Sequence, residues 1–329
     1  MKTKDDFKEL PEQAIEIEGK PKPAREFLSE YCQTLGNGTT EYLGIKTDFA
    51  GLDKATLGLD GLIVLGGIAG AGKTSLALQL AVGACDLGTP TLFYSLEMPR
   101  RAILTKILNR LAKVRYSDIL LKGREYLSDN PKAGEALFSK EEAEKLKAGK
   151  KVLEAIGKKF YLRTRERGEA DIAFDSVEQE INFVKAEHKA DKVFVLIDHL
   201  QVFNVDRYSD QIDKEGKLIT GFKGISERTG ATILLISQKN KAGFTSKGLQ
   251  TIKGSVDIVY LADVVMFLEG AGEKPKKGEQ SEEIESITAH FNAVVANPID
   301  LVIDKNRYNA PRAIKLNFNG EYSDFSEIP

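Results

Sequence analysis

Gly67-Ile-Ala-Gly-Ala-Gly-Lys-Thr74 constrains this chain more than any other segment, because it satisfies G-x-x-x-x-G-K-[ST] in full. An apolar run, GLIVLGG at 61–67, precedes it, and Leu76, Leu80 and Ala81 follow at helical spacing. A strand, a glycine-rich turn and a helix in that order make a phosphate cradle. The glycines let successive backbone N–H groups turn inward around an anion, and the helix N-terminus adds partial positive charge. Lys73 is expected to reach the β- and γ-phosphates of ATP, and the Thr74 hydroxyl to ligate Mg²⁺. The expected nucleotide contacts are Gly67, Ile68, Ala69, Gly70, Ala71, Gly72, Lys73, Thr74 and Ser75.

Around the loop the pattern alternates. Lys73 to Asp86 reads as a helix, TLFYSLE at 91–97 as a strand, and Pro99 as the start of a helix carrying Ile103, Ile107 and Leu111. A charged insertion spans about 115–158, with a helix expected from Ser139 to Ile156. Val177, Ile181 and Val184 mark a further helix, and KVFVLID at 192–198 is a continuous apolar strand. Leu218, Phe222 and Ile225 mark a helix closed by Gly230, and ATILLISQ, DVVMFLE, LVIDKN and AIKLNF are later strands. Continuous apolar strands between amphipathic helices imply an α/β fold with a mostly parallel sheet covered on both faces. The last strands lack intervening helices, so that edge is expected to be antiparallel. Residues 1–23 read as a polar, mostly extended arm. AREFLSEYCQTL at 24–35 reads as a short amphipathic helix, packed either on its own domain or on a neighbouring subunit. The expected division is 1–42 for arm and helix and 43–329 for the core.

The acidic groups decide whether a bound nucleotide is cut. Asp198 ends its strand and is expected to hold Mg²⁺ through water. Residue 199 is His, where many nucleotide-hydrolysing proteins with this loop place an acid. Glu97, ending the strand after the loop helix, is the alternative group for orienting or deprotonating water. Gln238 ends ATILLISQ, where an amide senses the γ-phosphate or merely closes a turn.

Global charge excludes a uniformly basic nucleic-acid binder, since 47 Lys and Arg face 49 Asp and Glu. A local basic patch is still allowed. Cys32, Cys85 and the three histidines show no metal-ligand spacing. The isolated cysteines, an N-terminus without an apolar core, and the lack of an apolar run of ~20 residues point to a cytoplasmic protein without a membrane segment.

SLEM at 95–98, LIDHLQ at 196–201 and LLISQKNK at 234–241 resemble, in this order, three motifs of the DnaB-type replicative helicases. TDFAGLDKATLGLDGLIVLGG resembles the lead-in to their phosphate loop, and DKNRYNAPRAIKLNFNGEYSDF at 304–325 resembles their C-terminal end. His199 stands where Tyr is common in that family, and Ala69 and Ala71 where Pro and larger residues are. The resemblance implies a RecA-like ATPase core in a hexameric ring around single-stranded DNA, with ATP between subunits. It implies that Glu97 is the catalytic glutamate, Gln238 the sensor, and Lys305 and Arg307 a finger to the adjacent subunit's γ-phosphate. Two apart on a strand, those two side chains are expected to share one face. Loops at about 203–217 and 239–254 would face the pore, the second bringing Lys239, Lys241, Lys247 and Lys253 to the DNA backbone. A primase or a loader is an implied partner. A related ATPase without unwinding activity, or a nucleotide-gated loading factor, are the alternatives.

Overall fold

The computed structural model describes residues 23–37, 44–126, 138–165, 173–174, 176–200, 211–238, 260–270 and 297–328. The chain forms two compact units, 1–41 and 42–329. In the first, α1 spans Ala24–Asn37 and so runs past the expected end at Leu35. Phe27, Leu28 and Tyr31 on this helix are exposed. The polar arm at 1–22 lies outside the described residues.

The second unit is built on one nine-stranded sheet in the order β3-β2-β4-β5-β1-β6-β7-β8-β9. Its strands are β1 Leu62–Gly67, β2 Thr91–Ser95, β3 Phe160–Thr164, β4 Phe194–Asp198, β5 Thr232–Gln238, β6 Val264–Gly270, β7 Asn297–Asn306, β8 Arg312–Asn319 and β9 Asp324–Glu327. β3 through β6 run parallel, while β7, β8 and β9 add antiparallel ribbons at one edge. The expected mostly parallel sheet with an antiparallel C-terminal edge is therefore what forms. Two strands fall outside the expectation. β3 is a short edge strand whose apolar positions alternate with polar ones, and β9 is four residues of mixed polarity.

The helices are α2 Ala50–Thr56, α3 Lys73–Asp86, α4 Arg100–Ala112, α5 Tyr116–Tyr126, α6 Lys140–Ile156, α7 Ser176–His188 and α8 Gln211–Thr229. Alternation along β1 divides the core into two layers. Ile63 and Leu65 join α2, α3 and α4 on one face. Leu62 and Val64 join α7 and α8 on the other. Both sides of the central strands are buried, which is why they read as unbroken apolar runs. α3 is buried almost all round, so small residues replace an amphipathic stripe. At Gly83 an added Cβ would come within 2.8 Å of Asp48 Oδ1.

The described residues of the insertion pack against α4. Leu108 and Ala112 of α4 join Val114, Ile119, Phe138 and Leu146 in a small separate core. Ser139 caps α6 in a reciprocal box with Glu142, which is the expected start of that helix. Among the described residues no helix is long and apolar enough to cross a membrane.

Candidate nucleotide-binding site

In a parallel sheet the carboxyl ends of the strands share one rim, where ligands bind near a change of strand order. Register sets the neighbours here. Gly67 pairs with Gln238, and Ser95 pairs with Asp198. The phosphate loop, the Gln238 backbone and the Asp198 carboxylate thus meet at one rim. The side chain of Gln238 lies outside the described residues.

Within the loop, Gly72 takes φ +88 and leads directly into α3. A Cβ there would meet Phe325 Cζ at 2.9 Å. Phe325 stacks on Phe318 with ring centroids 4.3 Å apart. The antiparallel edge therefore floors the loop, which only glycine allows. Gln79 of α3 donates to the Phe325 carbonyl at 2.9 Å and accepts from its N–H at 2.9 Å. Glu327 accepts from the Gly51 and Leu52 amides at the start of α2. The last strand thereby ties down both helices beside the loop.

Lys73 is buried, and its ammonium donates to the carbonyls of Gly67 at 2.9 Å and Ile68 at 2.7 Å. Thr74 Oγ1 donates to Asp198 Oδ2 at 2.8 Å. Burial raises the pKa of Asp198, while the Thr74 hydrogen bond and His199 act against it. A hydroxyl and a carboxylate side by side are hard oxygen donors suited to Mg²⁺. With a buried lysine at the loop, the residues present fit a magnesium-bound polyphosphate.

Glu97 does not end β2 as expected. The strand stops at Ser95, whose hydroxyl donates to the Met98 carbonyl at 2.7 Å and turns the chain. Glu97 sits on that turn, half-exposed, with Oε2 3.1 Å from His199 Nδ1. The ligand atoms of Glu97, Asp198 and His199 all lie within 4.8 Å of one another. Sequence reasoning gives no role to Lys106, which lies against the same helix. Its ammonium donates to Ser75 Oγ at 3.2 Å and Ser323 Oγ at 3.4 Å. Burial lowers its pKa, while Asp198 acts against that.

Lys305 and Arg307 are placed elsewhere, and the expectation of a shared strand face is corrected. β7 carries a bulge opposite Val265–Met266 and ends at Asn306, whose side chain donates to the Ala55 carbonyl at 2.9 Å. Arg307 lies past the strand, so pleat alternation does not govern it. Its N–H bonds the Asp263 carbonyl at 2.9 Å, and its guanidinium pairs with Asp263 Oδ1 at 2.7 Å. Lys305 donates to the Tyr260 carbonyl at 3.3 Å, and its pKa is lowered by burial and then by the charge of Arg307. Antiparallel pairing puts this cluster level with Leu62, at the opposite rim from Gly67. Five residues of strand separate the two levels, roughly 16 Å.

Of the loop expected at 203–217, residues 211–217 already belong to α8. Residues 201–210 lie outside the described residues, as do Lys239, Lys241, Lys247 and Lys253.

Comparison with known families matches residues 44–327 to the DnaB-like helicase C terminal domain. A curated relative, the replicative DNA helicase DnaB of Rickettsia typhi, is 21% identical over 315 residues, covering 87% of this chain and 57% of the relative. The chain thus spans little more than half the length of that relative. Among solved structures, one described as an ATPase domain superposes with TM-score 0.75 at 17% identity, covering 94% of this chain and 100% of that one. "The Structure Of A DnaB-Like Replicative Helicase And Its Interactions With Primase" gives TM-score 0.72 at 17% identity, covering 94% of this chain and 68% of that one. The RecA-like fold expected from the sequence is the fold of these neighbours.

Proposed function

We propose, from the premise that this chain belongs to the DnaB-like helicase C-terminal domain family, that it is an ATP-driven motor moving on single-stranded DNA. One observation carries the reading: the groups suited to grip and cut a nucleotide lie at opposite rims of one sheet. Gly67, Thr74 and Asp198 share the carboxyl rim, while Arg307 sits level with Leu62 about 16 Å away. No single chain brings both to one phosphate, so the pocket is completed by a neighbour in a homo-oligomer, a hexamer by family resemblance.

In this reading the backbone from Gly67 to Ser75, including Ile68, Ala69, Gly70, Ala71 and Gly72, cradles ATP at the start of α3. Lys73 leaves the carbonyls it now contacts and turns to the phosphates. Thr74 and Asp198 hold Mg²⁺, the latter through water. Mg²⁺, when bound, neutralises charge on the phosphate oxygens. Glu97, braced by His199, orients the attacking water. Gln238, level with Gly67, senses the γ-phosphate. Lys305 and Arg307 of the adjacent subunit stabilise the charge that develops on transfer, a contribution of ~10³–10⁵ in related systems. Lys239, Lys241, Lys247 and Lys253 follow the DNA backbone without reading sequence. A primase or a loader is the proposed protein partner, and the cytoplasm the proposed location.

ATP turnover with and without single-stranded DNA, measured beside native mass and forked-duplex unwinding, tests this reading. A ring-sized assembly whose turnover rises with DNA and which opens the fork is the expected result. A monomer whose turnover ignores DNA would contradict it.

A further inference from the structure

We infer that Asp263 is the positioning residue that sets Arg307 for the neighbouring subunit's nucleotide, an inference that rests on the shared-pocket reading above. Asp263 immediately precedes β6 and is 1% exposed. Its two carboxylate oxygens have different work. Oδ2 accepts from the Leu62 N–H at 2.8 Å and from the Lys223 ammonium at 2.8 Å. Oδ1 pairs with Arg307 at 2.7 Å and stands 3.1 Å from Lys223. Its backbone is pinned as well: the N–H donates to the Leu62 carbonyl at 2.7 Å, and the carbonyl accepts from the Arg307 N–H at 2.9 Å. Gly61, at φ +71, leaves room for this carboxylate, since a Cβ there would overlap Oδ2.

The direction of this arrangement follows from burial. A buried carboxylate needs a counter-charge, and Lys223, itself 14% exposed and touching both oxygens, supplies it. Arg307 is not needed for that. Its side chain is 50% exposed, and an ion pair to so exposed an arginine contributes little to stability. The gain falls on Arg307. A long side chain with five donors is held through one nitrogen and its own backbone N–H, while half of its surface stays open to a partner. An arginine acting across an interface must arrive pre-set, because a misplacement of ~1 Å costs about 100-fold in rate. Leu62 of β1 and Lys223 of α8 converge on Asp263 just before β6, so the brace is anchored on elements of the core.

Asp263→Asn in the full chain tests this. Expected is a fall of about tenfold or more in kcat, from the loss of pre-set geometry. The KM for ATP and the binding of a fluorescent ATP analogue should stay within about twofold, since the variant's own phosphate loop is intact. Mixing separates positioning from folding. Asp263→Asn mixed with Glu97→Gln should regain turnover above either alone, because one partner brings the working loop and the other the pre-set arginine. Asp263→Asn mixed with Arg307→Ala should regain nothing, because both lack the same contribution. A kcat within about twofold of the parent overturns the inference, as does recovery in the second mixture. If Asp263→Asn does not fold, Asp263→Glu, which keeps the charge that Lys223 neutralises but shifts the carboxylate by one methylene, reads the same pattern with a smaller loss, about threefold, and parental kcat there overturns the inference. Arg307→Ala at the parental rate would instead overturn the shared-pocket reading beneath it. An impaired Arg307→Ala beside a normal Asp263→Asn sinks the positioning role alone.

Discussion

The two rims of the sheet are built differently. The carboxyl rim is satisfied from within. Lys73 rests on its own loop's carbonyls, Thr74 on Asp198, and Glu97 on His199. Its buried groups already have partners and need only exchange them when a polyphosphate enters. The opposite rim turns outward. Asp263 is sealed in, but the arginine it holds is half-exposed. In the proposed function one rim acts as receptor and the other as donor, and neither is complete alone.

The sharpest way to break this comparison is to disable the receptor. Lys73→Ala should abolish measurable ATP binding and lower turnover by about 10³ or more. Its melting temperature should stay near the parent's, since Lys73 donates to loop carbonyls that water can satisfy. Disabling the donor should give the next largest effect. Arg307→Ala should lower turnover by about 10³, the low end of the ~10³–10⁵ such a group contributes, while ATP-analogue affinity holds. Equal loss of affinity in both variants would erase the distinction between the rims. Gly72→Ala tests the floor beneath the receptor. A side chain at φ +88 pressed on Phe325 should cost roughly 2–4 kcal/mol, read by chemical denaturation.

The smallest effect concerns Lys106, at the receptor rim. Its pKa lies below the usual 10.5 because burial disfavours the charge. A depressed lysine penalises the fold while charged, and the penalty fades as pH rises through its folded pKa toward 10.5. Lys106→Met should therefore raise the melting temperature slightly at neutral pH. The gain should shrink in alkaline buffer. A gain that does not change with pH would show that packing, not charge, is responsible.

The same contrast explains what can be read from the sequence. The receptor's parts are contiguous or end apolar strands: residues 67–74 form one motif, and Asp198 closes KVFVLID. Local patterns of that kind survive without knowledge of the fold. Even there, the strand carrying Glu97 stops two residues early, because a serine hydroxyl turning a chain leaves no mark in hydrophobic periodicity. The donor rim is assembled from residues 62, 223, 263 and 307, which only the sheet brings together. In the sequence Asp263 reads as the first residue of a strand and nothing more. β9 escapes for a similar reason. Four residues of mixed polarity carry no period, yet Phe325 and Glu327 fix the loop helix and α2.

Subunit mixing tests most directly whether receptor and donor belong to different chains. Lys73→Ala and Arg307→Ala, each nearly inactive alone, would be combined in equal amounts and allowed to exchange. In a closed ring about a quarter of the pockets would then pair an intact loop with an intact arginine, so turnover should recover to roughly a quarter of the parental rate. A mixture no more active than its components, with exchange verified by native mass, would contradict a pocket shared between neighbours.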